Sequence, residues 1–158
     1  MTKLIAPLML AILCSSTTAV HAGDAALEAP IRAMEAAFNK GDAAAAKATH
    51  VAAPTIVDEL GAPYVWSGAT AFDDWLKSLS DEEAAAGKSG GVVKLGAPIR
   101  ESVEGTHGYV ITPSTYTFQQ KGKIMRETGT MTFALVETEA GWKIAAWTWT
   151  SLEAVPVG

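Results

Sequence analysis

Apolar and polar positions along the chain alternate with two different periods. Leu27, Ile31, Met34 and Phe38 recur at spacings of four, three and four, which draws one apolar stripe and predicts a helix from Ala25 to Asn39. Asp24 is placed to cap its start and Gly41 to end it. Asp42 is placed to cap a second helix over Ala43 to Thr49, which Pro54 closes off. Thr55-Ile56-Val57-Asp58 and Tyr64-Val65-Trp66, separated by Gly61-Ala62-Pro63, predict a small hairpin. Phe72, Trp75, Leu76 and Leu79 share one face of a third helix, with Thr70 as its cap and Gly87 as its stop.

Beyond Gly90 the period changes to two. Extended segments are expected over Val92 to Val103, His107 to Gln119, Ile124 to Glu137 and Trp142 to Leu152, divided by Glu104-Gly105-Thr106, Lys121-Gly122-Lys123 and Glu139-Ala140-Gly141. Helices first and long antiparallel strands afterwards define an α+β layout, with the three helices on one face of a curved sheet. No linker or internal repeat divides the chain.

The apolar run from Leu4 to Cys14 follows Lys3 and leads into Ser15-Ser16-Thr17-Thr18 and Ala19-Val20-His21-Ala22. This is the pattern of a secretory signal peptide, with cleavage expected after Ala22. The run is about half the ~20 residues of a membrane span, and Leu13 is too large to precede a lipidated cysteine. The expected organisation is therefore a signal peptide at 1–22 and one domain at 23–158, exported and periplasmic, with no membrane attachment after cleavage.

Composition narrows the chemistry. The chain has 12 Lys and Arg against 17 Asp and Glu, net −5, and its basic residues are scattered singly. Nucleic acid and anionic lipid, which need clustered positive charge, are disfavoured as partners. The one cysteine, Cys14, leaves with the signal, so the domain folds without disulfides. His50 and His107 are the only histidines left, too few for a zinc site, and no cofactor is implied.

The order of elements and several strings resemble the nuclear transport factor 2-like superfamily, which includes SnoaL-like polyketide cyclases and ketosteroid isomerases. Phe38-Asn39-Lys40-Gly41-Asp42, Thr55-Ile56-Val57-Asp58, Ser67-Gly68 and Gly141-Trp142-Lys143-Ile144 carry the likeness. Asp58-Glu59, Tyr64-Val65-Trp66, Tyr109-Val110-Ile111-Thr112-Pro113 and Trp147-Thr148-Trp149 look like a signal-bearing bacterial branch without an assigned activity. The resemblance implies a cystatin-like, cone-shaped sheet with helices on its concave face and an apolar pocket for a small molecule. It also places Asp58 where ketosteroid isomerases carry the general base. The donors that hold the enolate oxygen in that family are unmatched: Met34 falls at the first-helix position, and Met131 or Thr132 at the late-strand position.

Asp58 is thus either a hairpin carboxylate satisfied by backbone N–H groups or a catalytic group. Met125, Glu127, Gly129, Met131, Phe133 and Leu135 share a strand face. If that face points inward, Glu127 joins Asp58 as a second carboxylate; otherwise it pairs with Lys123 or Arg126. Tyr64, Trp66, Tyr109 and Tyr116, with Met34, Phe38 and Met131, are candidates either for the pocket wall or for core packing. His50 reads as a helix-end residue and His107 as a turn residue. In the last strand, Trp142, Ile144, Ala146 and Thr148 are expected inside. Trp147 and Trp149 then stand outside, where covering them predicts a homodimer. Three readings follow: a pocket protein for a small apolar molecule, an enzyme using Asp58 with Glu127, and an interaction module with a filled cavity.

Overall fold

A computed structural model describes residues 24–157; residues 1–22, expected as a signal peptide, lie outside the described residues. The order is α1 (Ala25–Asn39), α2 (Ala43–Ala48), β1 (His50–Val57), β2 (Val65–Ser67), α3 (Ala71–Ala86), β3 (Lys88–Leu95), β4 (Arg100–Glu104), β5 (His107–Gln120), β6 (Lys123–Thr138), β7 (Gly141–Ser151) and β8 (Val155–Pro156). The eight strands form one sheet in the order β2-β1-β7-β6-β5-β3, with β4 also on β5 and β8 also on β6. Every pairing is antiparallel except β1 with β7, which is parallel, so the expectation of a purely antiparallel sheet is corrected at that one seam. The chain reaches it by way of α3 and the meander, a connection long enough to reverse direction.

The caps follow the sequence in two helices out of three. The Asp24 side chain accepts from the N–H groups of Ala26 and Leu27, and Asp42 accepts from Ala45, each satisfying donors that the first helical turn leaves free. Thr70 makes no such bond; Asp73 and Asp74 supply negative charge to the first turn of α3 instead. Gly87, in the left-handed region at φ 67°, ends α3.

The segment expected as one strand over Val92 to Val103 is two, β3 and β4, both paired with β5. The corner between them contains Pro98, which has no N–H for the ladder. Arg32 holds the corner by donating to the carbonyls of Leu95 (3.1 Å) and Gly96 (2.7 Å). The remaining edge of β3 is covered by α1. Asn39 Nδ2 donates to the Val93 carbonyl (2.7 Å), Asn39 Oδ1 accepts from Val93 N–H (2.9 Å), and Glu35 Oε1 accepts from Leu95 N–H (2.9 Å). Three hydrogen bonds from two polar side chains of α1 therefore take the place of a neighbouring strand.

The core lies between α1, α3 and the concave face of the sheet. Leu27 and Ile31 meet Val110, Phe133, Leu135 and Ile144, all at most 2% exposed. Each such side chain contributes about 1.5–3 kcal/mol of transfer free energy. The inward parity expected for β6 holds: Met131, Phe133 and Leu135 are buried.

Candidate functional site

Between α1, α3 and the inner face of the sheet lies a cavity of about 270 Å³. Met34 and Phe38 of α1, and Phe72, Trp75 and Leu79 of α3, form its helical wall. Tyr116, Met131, Trp147 and Trp149 form its sheet wall. Asp58, Glu59, Glu82, Lys88 and Glu127 are also at the cavity.

Asp58 follows β1 directly and is 7% exposed. Its backbone N–H donates to the Tyr64 carbonyl (3.1 Å), which closes the loop to β2 and aims the carboxylate inward. Oδ2 accepts from Trp75 Nε1 at 2.9 Å. Burial raises its pKa to about 6; the Trp75 and backbone donors pull the other way, and Glu59 adds a smaller upward push. Asp58 thus exchanges a proton near neutrality, in contact with the cavity.

Glu127 faces the same cavity, and burial raises its pKa as well. Its charge partner is Lys88, 3.8 Å away, and not Lys123 or Arg126. Lys88 also pairs with Glu82 Oε1 at 3.1 Å and lies 4.8 Å from the centre of the Phe118 ring. Asp58 pushes the Glu127 pKa up only as the smallest of several causes. The two carboxylates therefore share the space, but each is governed by its own surroundings. Tyr116 donates to Glu83, and Gly91 leaves room for its hydroxyl, since a Cβ there would lie 2.0 Å from that oxygen.

The sequence-predicted positions divide clearly. Met34, Phe38, Asp58, Tyr116, Glu127 and Met131 all line the cavity. Tyr64 does not: its backbone is left-handed at φ 61°, in the turn before β2, and its ring is 55% exposed. Tyr109, at 37% exposure, is on the outer face. Trp66 is buried in the core next to α3, away from the cavity.

The largest correction concerns Trp147 and Trp149, expected on the outer face. Leu135 pairs with Ile144, but Ala134 pairs with Ala146. One residue, Ala145, is therefore extra in β7. A bulge of this kind reverses the alternation beyond it, so Trp147, at 4% exposure, and Trp149 join Ile144 on the inner face. The argument for a homodimer through these rings lapses with that placement.

His50 follows the C-cap of α2, at the helix end where the sequence puts it, and is also the buried first residue of β1. Trp147 Nε1 donates to its Nε2 (3.0 Å), and Nδ1 lies 3.0 Å from the Ala46 carbonyl. An indole N–H only donates, so Nε2 is the acceptor and the ring is the neutral Nδ1–H tautomer. Burial lowers its pKa to about 4. His107 is exposed at the start of β5, as its turn setting predicted. Trp75, read from the sequence only as part of an apolar helix face, proves to be the side-chain donor to Asp58.

No protein-family model and no curated protein matches the chain. Solved structures do. The chain is similar to a ketosteroid isomerase-like protein from Erwinia carotovora atroseptica (18% identity, TM-score 0.63, covering 82% of this chain and 95% of that one). It is also similar to an NTF2-like protein with a cystatin-like fold from Novosphingobium aromaticivorans (18%, 0.60, 77% and 76%). A hexachlorocyclohexane dehydrochlorinase of type 2 matches at 9% identity, with TM-score 0.68 over 85% of this chain and 88% of that one. Together with the curved eight-stranded sheet and its three helices, these likenesses show that the chain has the nuclear transport factor 2-like, cystatin-like fold.

Proposed function

We propose that the chain binds a small, largely apolar molecule in this cavity, with Asp58 as its principal polar contact. The observation that carries the reading is a buried carboxylate, held by one indole N–H, set in a wall of aromatic and thioether side chains. Such a site combines apolar area with few convergent polar groups, the composition of small-molecule pockets. Fold neighbours named for hexachlorocyclohexane and for ketosteroids are consistent with it. A second reading, in which Asp58 acts as general acid or base with Glu127 as a second carboxylate, is favoured by the raised pKa of both groups. Met34 and Met131 donate no hydrogen bonds, so an enolate-stabilising mechanism lacks support. The sequence of residues 1–22 supports export before the domain acts in the periplasm.

Native mass spectrometry of the protein purified from its own host tests the binding reading. A non-covalent adduct of small-molecule mass is expected, and it disappears in a Leu79→Trp variant that fills the cavity. A protein that arrives empty, and whose tryptophan fluorescence does not respond to naphthalene, overturns the reading.

A further inference from the structure

The charges around the cavity are one-sided, and they are unequally compensated. Glu35, which also lines it, is occupied by Arg32 and the Leu95 N–H. Glu82 and Glu127 share Lys88, the only cationic side chain of the lining among the described residues. At the other end stands Asp58, buried, beside Glu59, which is exposed and accepts from Ser151 Oγ. The donors to the Asp58 carboxylate are Trp75 Nε1 and the backbone N–H groups of Glu59 and Leu60, all neutral. Among the described residues no Lys, Arg or His nitrogen lies within 4.0 Å of either Asp58 or Glu59. A carboxylate removed from water is costly as an anion unless hydrogen bonds or a counter-charge hold it, and here the fold supplies neutral donors but no counter-charge.

The wall near this end is aromatic. Trp75 meets Trp147 edge-on at 4.8 Å, and Trp149 continues the same strand face. Indoles attract cations through the negative faces of their rings, most strongly where water is excluded. The Lys88 corner already shows the preference, with an ammonium held between carboxylates and the Phe118 ring.

We propose that the molecule bound in this cavity carries a positive charge, an amine or quaternary ammonium group on an apolar body, seated against Asp58 on the cavity side and lined by Trp75, Trp147 and Trp149. The inference rests on the binding reading above and names the ligand class for it. An anionic ligand would enter a space already holding uncompensated negative charge, and a neutral one would leave Asp58 without a counter-ion.

Three probes of nearly equal shape separate the possibilities by isothermal titration calorimetry: phenyltrimethylammonium, uncharged tert-butylbenzene and anionic benzenesulfonate. The ammonium is expected to bind at least about tenfold more tightly than tert-butylbenzene, with benzenesulfonate weakest. Asp58→Asn, which keeps an acceptor for Trp75, is expected to abolish the advantage of the ammonium over tert-butylbenzene. Trp149→Leu is expected to weaken the ammonium more than the neutral probe. Equal or tighter binding of tert-butylbenzene by the unaltered protein overturns the charge inference and leaves the apolar pocket standing. An ammonium preference that survives Asp58→Asn overturns the seat. Failure of all three probes to bind overturns this inference and the binding reading together.

Discussion

The indole N–H of Trp75 donates to Asp58 Oδ2 across 2.9 Å, joining the middle of α3 to the end of β1 inside the cavity. The same indole packs against Phe72, with ring centres 5.6 Å apart, and against Trp147 at 4.8 Å. Trp147 is in turn bonded to His50, which reaches the Ala46 carbonyl at the end of α2. The cavity carboxylate is thus held by a chain of side chains that ties two helices to the β1–β7 seam. Rigid support of this kind fixes where a ligand meets Asp58.

Trp75→Phe removes the side-chain donor and keeps most of the aromatic packing. The indole favours the anion, so the Asp58 pKa is expected to move further up from about 6. A hydrogen bond to a charged group contributes about 1.5–3 kcal/mol. The variant is therefore less stable by that order above neutrality, where Asp58 is ionised, and closer to the unaltered protein in acid. Carbon-13 NMR titration of the Asp58 carboxyl, with urea unfolding at both ends of the range, reads both effects. An unshifted titration would mean that the indole does not support the anion.

Burial moves Asp58 and His50 in opposite directions, and their effects on stability oppose each other. In the folded chain Asp58 titrates at about 6 instead of 3.8. Between those values the folded state keeps a proton that the unfolded state has lost, so this contribution to stability falls as pH rises. Glu127, also raised, acts in the same sense. His50 titrates at about 4 instead of 6.5; over that interval the unfolded state binds more protons, and its contribution rises with pH. Each shift corresponds to roughly 3 kcal/mol in full, so much of the two effects cancels. Urea unfolding across the window from about pH 4 to pH 6 is expected to show a more negative slope of stability against pH in His50→Gln and a more positive one in Asp58→Asn. Slopes that move together would refute the assignment.

Much of this was legible in the sequence because it depends on local rules. The stripe Leu27, Ile31, Met34 and Phe38 gave α1, and strict alternation placed Met131, Phe133 and Glu127 on the inner face of β6. The same alternation failed in β7 because Ala145 is an extra residue. Nothing in the side chains of Ala145 or Ala146 marks a bulge, and only pairing with β6 reveals it. Tyr64, a candidate for the pocket wall or the core, lies in neither for a backbone reason: its left-handed φ turns the ring to solvent. Lys88 and Trp75 were not recognised as partners of Glu127 and Asp58 because those contacts form between elements far apart in the chain, which no periodicity records.

Asn39 is the most direct test of how α1 protects the edge of the sheet. Its carboxamide takes both backbone hydrogen bonds that Val93 offers on the outer edge of β3, and Val93 lines the cavity. Asn39→Ala removes both partners. The site is exposed enough for water to replace them, so each bond is expected to cost about 0.5–1.5 kcal/mol net and not the larger penalty of a buried orphan. At about 2–4 °C per kcal/mol for a chain of this size, the melting midpoint falls by roughly 2–12 °C. Amide hydrogen exchange at Val93 quickens, while that of Phe133, in the core, follows global stability alone. The comparison is Lys77→Ala, which breaks an exposed i,i+4 ion pair with Asp81 and is expected to change stability by less than about 0.5 kcal/mol. A melting midpoint in Asn39→Ala no lower than that of Lys77→Ala, with Val93 exchange unchanged, would mean that the edge of β3 is held without the help of α1.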